Sequence, residues 1–266
     1  DALGSIGLEA IPALVQALED EKTDVSRIAI AFAKMGSQAV PALIQAQQSS
    51  NPNVRYAASL AFSRLGPDAS QAVPVLIGAL KDEHATLRYQ AAIALGDIVE
   101  EAAAAVPALI ETLQDGSTIP GQGHLVRRAV ASALGDIGPE ARTAVPALIK
   151  SLEEWGIQDR GSATTALSEI GPDAIPELVK ALRHRDEDVR FYVALALGEI
   201  GREAIPALIA ALRDEDADAR TSAATALREI GPAAKTAIPA LTNALEDEDS
   251  AVRFFAADAL REIRRQ

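Results

Sequence analysis

The chain has 266 residues, a net charge of −13 and 48% apolar residues, enough to bury a core rather than remain disordered. The acidity argues against sequence-independent binding of nucleic acid, which depends on phosphate neutralisation by Lys and Arg, and against an anionic membrane surface. Cys is 0, which excludes disulfides, thiolate metal sites and a Cys nucleophile; aromatics at 3% leave little material for stacking platforms.

Residues 1–6 match only the last turns of a helix that is complete at the far end, where residues 258–263 are their counterpart. Beyond them, an Ile or Val followed by Pro recurs at Pro12, Pro41, Pro74, Pro107, Pro146, Pro176, Pro206 and Pro239, at spacings of 29, 33, 33, 39, 30, 30 and 33 residues. Each Pro opens a short helical pattern, as over 206–212. A polar loop follows, as over 213–218, and then a second helical pattern, as over 220–230, closed by Gly231. No stretch alternates with period two over a convincing length, so the chain is predicted to be all-α.

The punctuation agrees with helix pairs. Asp186, Asp216 and Asp249 stand four residues before Arg190, Arg220 and Arg253, as N-caps would, and Asn51-Pro52 reads as a cap followed by a first-turn Pro. Gly66, Gly138, Gly171, Gly201 and Gly231 are placed to close their helices. From Gly to the next Pro is five residues after Gly36, Gly171 and Gly201, and eight after Gly66, Gly138 and Gly231. Three extra residues are close to one helical turn, so the long form is expected to begin its Pro helix earlier.

The arrangement Val-Arg…Ala-Ala…Ala-Leu-Gly…Ile-Gly-Pro…Ala-Val-Pro-Ala-Leu-Ile…Ala-Leu, clearest between Val189 and Leu212, resembles the HEAT-like repeats of phycobilisome lyases and many bacterial scaffold proteins. The resemblance covers essentially the whole chain. It implies a right-handed α-solenoid of about seven to eight helix pairs, with the Arg helix outside and the Pro helix inside. The expected organisation is a single array over 1–266, cut from a longer array or parent protein, because both ends leave half-repeats where solenoids normally carry polar caps. Such repeats serve scaffolds and enzymes alike, so the fold alone does not assign a function.

The recurrent arginines Arg55, Arg88, Arg127, Arg160, Arg190, Arg220 and Arg253 read as a structural ladder to loop carboxylates of neighbouring repeats. The first repeat departs, with Val25 where the Arg should be. HEAT-like deoxyhypusine hydroxylases hold two irons through His-Glu pairs; here His84, His124 and His184 are the three histidines and none precedes a Glu. Asp214, Asp216 and Asp218 mimic the opening of an EF-hand loop, but Ala219 replaces its turn Gly and Thr225 its bidentate Glu. No metal, cofactor or catalytic constellation is expected.

Two departures from the repeat are candidates for binding. A six-residue insertion falls between Leu113 and Arg127, and loop 116–124, with Ile119, Pro120 and His124, is set beside Trp155, the single Trp, one repeat later. Trp is enriched at binding hot spots, so the pair reads either as a recognition patch or as Ile119 and Pro120 covering the ring. His84, Gly123 and Gly156 also replace the expected Asp cap in three consecutive repeats. The second departure is basic. Positions four and seven after each Pro should face out from the inner helix, and there Lys150, Lys180, Arg183 and Arg213 gather on neighbouring helices. Position one is Ala at Ala13, Ala42, Ala108, Ala147, Ala207 and Ala240, so the groove beside them is shallow and open to a partner backbone.

The expected function is a non-catalytic protein-interaction scaffold, cytoplasmic, binding a partner with an acidic segment along the inner-helix groove. The alternative, which the resemblance implies, is a bilin lyase-like or phycobilisome-associated chaperone-like protein whose basic patch takes tetrapyrrole propionates. The bare ends also allow head-to-tail self-association, with residues 11–18 packing on 252–263 of a second copy.

Overall fold

In the computed structural model, which describes residues 7–18, 20, 23–114 and 123–265, the repeat is a short helix and a longer helix, joined by a tight loop over 182–186 and 212–216. The chain divides into two compact units, Asp1–Ile137 and Gly138–Gln266. In the first, α1 (Ile11–Ala17), α3 (Val40–Ala46), α5 (Val73–Ala79) and α7 (Val106–Gln114) are the inner, Pro-led helices. They alternate with outer helices α2 (Val25–Lys34), α4 (Pro52–Leu65), α6 (Ala85–Ile98) and α8 (Gly123–Ile137). In the second, the inner helices are α9 (Val145–Glu154), α11 (Ile175–Ala181), α13 (Ile205–Ala211) and α15 (Ile238–Asn243). Its outer helices are α10 (Ile157–Ile170), α12 (Glu187–Ile200), α14 (Ala217–Ile230) and α16 (Ser250–Ile263). No strand occurs among the described residues, and outer helices pack on the next outer helix within each unit, the sequential stacking of an α-solenoid.

The local signals act as their chemistry demands. Asp186, Asp216 and Asp249 accept the N–H groups of Asp188, Asp218 and Ala251 at 2.8–2.9 Å, and Asn51 accepts that of Asn53 at 2.9 Å. The expected closing glycines turn back at positive φ, from +56° at Gly66 to +83° at Gly201. Val99 holds the same place in its repeat at φ +58°, a conformation that costs a β-branched residue strain.

An inner helix of seven residues is about 10 Å long and too short to persist by itself, so packing must hold it. The Leu two residues after each Pro does this: Leu43, Leu76, Leu109, Leu148, Leu178, Leu208 and Leu241 are completely buried, each worth about 1.5–3 kcal/mol of transfer free energy. The outer helices meet the core mostly through Ala, and the approach is close. A Cβ on Gly96 would lie 3.1 Å from the Ala133 Cα.

The expectation of an earlier inner helix in the long repeats is not met. The α-helix starts at the residue before Pro in both forms, at Val73, Val145 and Ile238 as at Val40, Ile175 and Ile205. The extra residues lengthen a 3₁₀ segment, which covers Gly36–Ala39, Gly171–Ala174 and Gly201–Ala204 in the short form and Gly66–Ala72, Gly138–Ala144 and Gly231–Ala237 in the long one. Ala69 (φ −97°, ψ 16°) and Ala234 (φ −86°, ψ 23°) leave helical geometry inside two of the long segments, so the added residues make a second short turn, not more α-helix.

Candidate functional site

Arg55, Arg160, Arg190 and Arg220 of the ladder do two jobs each. One guanidinium nitrogen closes the Arg's own loop by donating to two consecutive carbonyls: Arg220 to Asp214 and Glu215, Arg190 to His184 and Arg185, Arg55 to Ser49 and Ser50. The remaining nitrogens reach the next repeat's carboxylate. Arg55 meets Asp82 at 2.8 Å, Arg190 meets Asp218 at 3.3 Å, Arg160 meets Asp188, and Arg220 grips both oxygens of Asp247 at 2.8 Å. The Arg220 hydrogen bonds hold the Asp247 carboxyl below its ordinary pKa, against the opposing effect of burial. These side chains are mostly buried and occupied, so they organise loops and offer nothing to a ligand. In the first repeat, exposed Arg27 pairs with its own cap, Asp24, at 3.1 Å.

The inner-helix groove of the second unit carries the basic patch. Position four is exposed throughout, at Lys150, Lys180 and Ala210, and position seven is exposed at Arg183 and Arg213 but half-buried at Glu153. Inner helix α11 packs beside α9 and α13, so the four cations share one surface. They are not a field of open positive charge. Lys150 pairs with Glu154 at 3.3 Å, Lys180 with Glu177 at 2.7 Å, and Arg183 with Asp214 at 2.9 Å and Glu215 at 3.1 Å. Burial raises the Asp214 carboxyl, but the Asp216 N–H and the Arg183 guanidinium more than offset this and hold it low. Glu153 is likewise lowered, chiefly by its hydrogen bond from Arg185. Arg213 has no ion pair among the described residues. Counting the cations at positions four and seven missed their acids, Glu154 and Glu177 on the same helices and Asp214 and Glu215 in the next loop.

Of the second candidate patch, Trp155 and His124 are described. Trp155 ends α9 with only 4% of its surface exposed; its N–H donates to the Ser151 carbonyl at 2.9 Å and its own carbonyl accepts from Arg160 Nε at 3.0 Å. A ring buried to that extent packs in the fold and is not presented as an anchor. Ile119 and Pro120 lie outside the described residues, and His124, the second residue of α8, is exposed. His84 and Gly156, which replace Asp caps, indeed cap through no side chain.

Known proteins fit this geometry. The HEAT-repeat family profile matches residues 11–76, 40–120, 145–228 and 205–266, well over half of the chain. The chain is a HEAT-repeat protein. Residues 1–20 and 126–154 of this HEAT-repeat protein match the PBS lyase HEAT-like repeat. Among solved structures, an engineered protein is similar at 24% identity over 99% of this chain and 82% of its own, with a TM-score of 0.50. The complex of CpcE and CpcF of phycocyanin lyase from Nostoc sp. PCC7120 is 25% identical over 93% of each chain, with a TM-score of 0.46. Human deoxyhypusine hydroxylase in complex with glycerol is 23% identical over 97% of each chain, with a TM-score of 0.35. The engineered protein's likeness concerns the fold alone. No curated protein sequence matches the chain significantly. The HEAT-repeat protein has no group of three or more His, Asp or Glu arranged for a metal among its described residues, and none of its described helices is long and apolar enough to cross a membrane.

A feature that the Pro-led repeat does not reveal is aromatic. The residue after the ladder Arg is Tyr56, Tyr89, Phe191 or Phe254 in four repeats, and Tyr89, Phe191 and Phe254 are exposed. Their common register after each Arg was the signal available in the sequence.

Proposed function

We propose that this HEAT-repeat protein is a non-catalytic scaffold that holds a partner protein along the inner-helix groove of its second unit. The observation that supports this reading is the surface of α9, α11 and α13, where Lys150, Lys180, Arg183 and Arg213 stand exposed, and where position one is Ala147 on α9 and Ala207 on α13 but Glu177 on α11. Repeat arrays present such extended surfaces because each repeat contributes one row of residues at a fixed offset.

The ion pairs refine the chemistry of the partner. Exposed pairs such as Lys180–Glu177 are worth about 0–1 kcal/mol, so an incoming carboxylate can take the place of the intramolecular one at little cost. An acidic segment is therefore exchanged onto the patch rather than drawn to it by a strong field, and Arg213, with no ion pair to give up, is its first contact. Binding of this kind is modest and weakens steeply with salt.

The test is a binding titration of an acidic partner segment against wild type and the Lys180→Glu, Arg183→Glu double variant. Charge reversal removes both cations and repels the partner, so affinity falls about tenfold or more. Unchanged affinity removes the groove from the account.

A further inference from the structure

Phe191 and Phe254 are the two large apolar side chains most open to solvent among the described residues, at 47% and 65% exposure. They hold the same place in repeats two apart, on outer helices α12 and α16 and not on the inner helices of the groove. Each is braced edge-on by its neighbour, Phe191 by Tyr192 at 5.4 Å between ring centroids and Phe254 by Phe255 at 5.3 Å. Between these braced pairs, α14 carries Thr221 where the aromatic would stand. Thr221, Ser222 and Thr225 floor a cleft of about 450 Å³ walled by Phe191 and Phe255. Thr225 spends its hydroxyl on the Thr221 carbonyl at 3.0 Å.

The rim charges are unequal. Its two cations are already satisfied: Arg190 by Asp218 and the carbonyls of its own loop, Arg228 by Glu229 and by Asp258 at 3.3 Å. Exposed Glu187 has no ion pair among the described residues, and Asp249 caps α16. The cleft thus combines aromatic walls with the open carboxylate of Glu187, on a molecule that itself carries −13.

We infer that this cleft docks a short segment of a partner protein in which an aliphatic or aromatic side chain is bracketed by Lys or Arg. The apolar residue sits between Phe191 and Phe255 over Thr221, and its cationic neighbours meet Glu187 and Asp249. An acidic segment is excluded here by the same carboxylates. The site is separate from the inner-helix groove and does not depend on it.

A displayed library of random dodecapeptides selected on the wild-type chain tests this, with affinities of the enriched peptides measured by fluorescence anisotropy on Phe191→Ala, Glu187→Lys and Thr221→Trp. Phe191 and Thr221 are not fully buried, and circular dichroism checks that the variants fold. The expected winners carry Leu, Phe or Trp flanked by Lys or Arg. Their affinity falls about tenfold or more in Phe191→Ala, as for an interface anchor, and likewise when Trp fills the floor. Failure to enrich any peptide, enrichment of acidic ones, or equal binding to Thr221→Trp overturns the inference. So does concentration-dependent dimerisation in sedimentation that Phe191→Ala abolishes, because the occupant is then a second copy.

Discussion

Arg220→Met asks whether a single buried guanidinium holds two consecutive repeats in register. Arg220 is 8% exposed; it donates twice to Asp247, itself 13% exposed, and twice to the carbonyls of Asp214 and Glu215. Methionine keeps the apolar stem but leaves a largely buried carboxylate and two carbonyls without their donor. Breaking a buried pair by removing one partner costs about 3–5 kcal/mol, and the residual solvent access at Asp247 places this case near 3 kcal/mol. The sign with pH follows from the depressed Asp247 pKa. The stabilisation is complete above the unfolded value of about 3.9 and disappears as pH falls through the lower folded value, so wild type and variant converge in acid. Urea unfolding at neutral pH measures the loss, and hydrogen exchange at the amides of Asp216 and Asp249, both bonded within the affected loops, locates it. Arg213→Met is the control: exposed and without an ion pair among the described residues, it should change stability by no more than about 0.5 kcal/mol. Equal losses in the two variants would refute the reasoning.

Further predictions follow from backbone and packing. Val99→Gly relieves a β-branched residue at φ +58° and should raise stability by about 1 kcal/mol in urea unfolding, the strain removed exceeding the chain entropy added. Gly96→Ala should destabilise by about 1–3 kcal/mol, because its Cβ meets Asp136 Oδ2 at 2.8 Å and the Ala133 backbone at 3.1 Å; Gly78→Ala, exposed on α5 with open space around it, should stabilise by about 1 kcal/mol. Asp136 is exposed, and its pKa is raised only by partial desolvation and the neighbouring Asp97 charge, so its effect on stability is small. A raised carboxyl pKa favours the fold below the unfolded value and disfavours it once pH rises through the folded one. Asp136→Asn should therefore unfold at slightly higher urea than wild type at neutral pH, and the advantage should vanish in acid. A bilin mixed with the protein should keep its visible absorbance; a spectral shift would favour a tetrapyrrole site over the scaffold reading.

The repeat was legible because it rests on local chemistry. Ile-Pro and Val-Pro fix the first turn of each inner helix, Asp186 or Asp216 caps the next, and Gly171 or Gly201 reverses the chain, all within a few residues of sequence. The choice between a longer α-helix and an added 3₁₀ turn at 231–237 was not legible. Both have the right length, and the path is decided by where Ile238 and Pro239 must enter the stack. At the surface, counting charges along one helix face found Lys150, Lys180, Arg183 and Arg213 but missed Glu215, which reaches Arg183 from the loop of the next repeat. Trp155 read either as an anchor or as a covered ring; residue type alone does not choose between them, because burial depends on the surrounding fold.

The central claim is that a protein partner lies in the groove over α9, α11 and α13, and photocrosslinking tests it most directly. A photoreactive residue at Ala210, exposed at position four of α13, is compared with one at Glu203 on the 3₁₀ edge, in a lysate of the source organism. The account predicts one discrete adduct from position 210, absent from 203, and lost when Lys180→Glu and Arg183→Glu are added. Adducts that are equal at the two positions, or that survive the charge reversal, would contradict it.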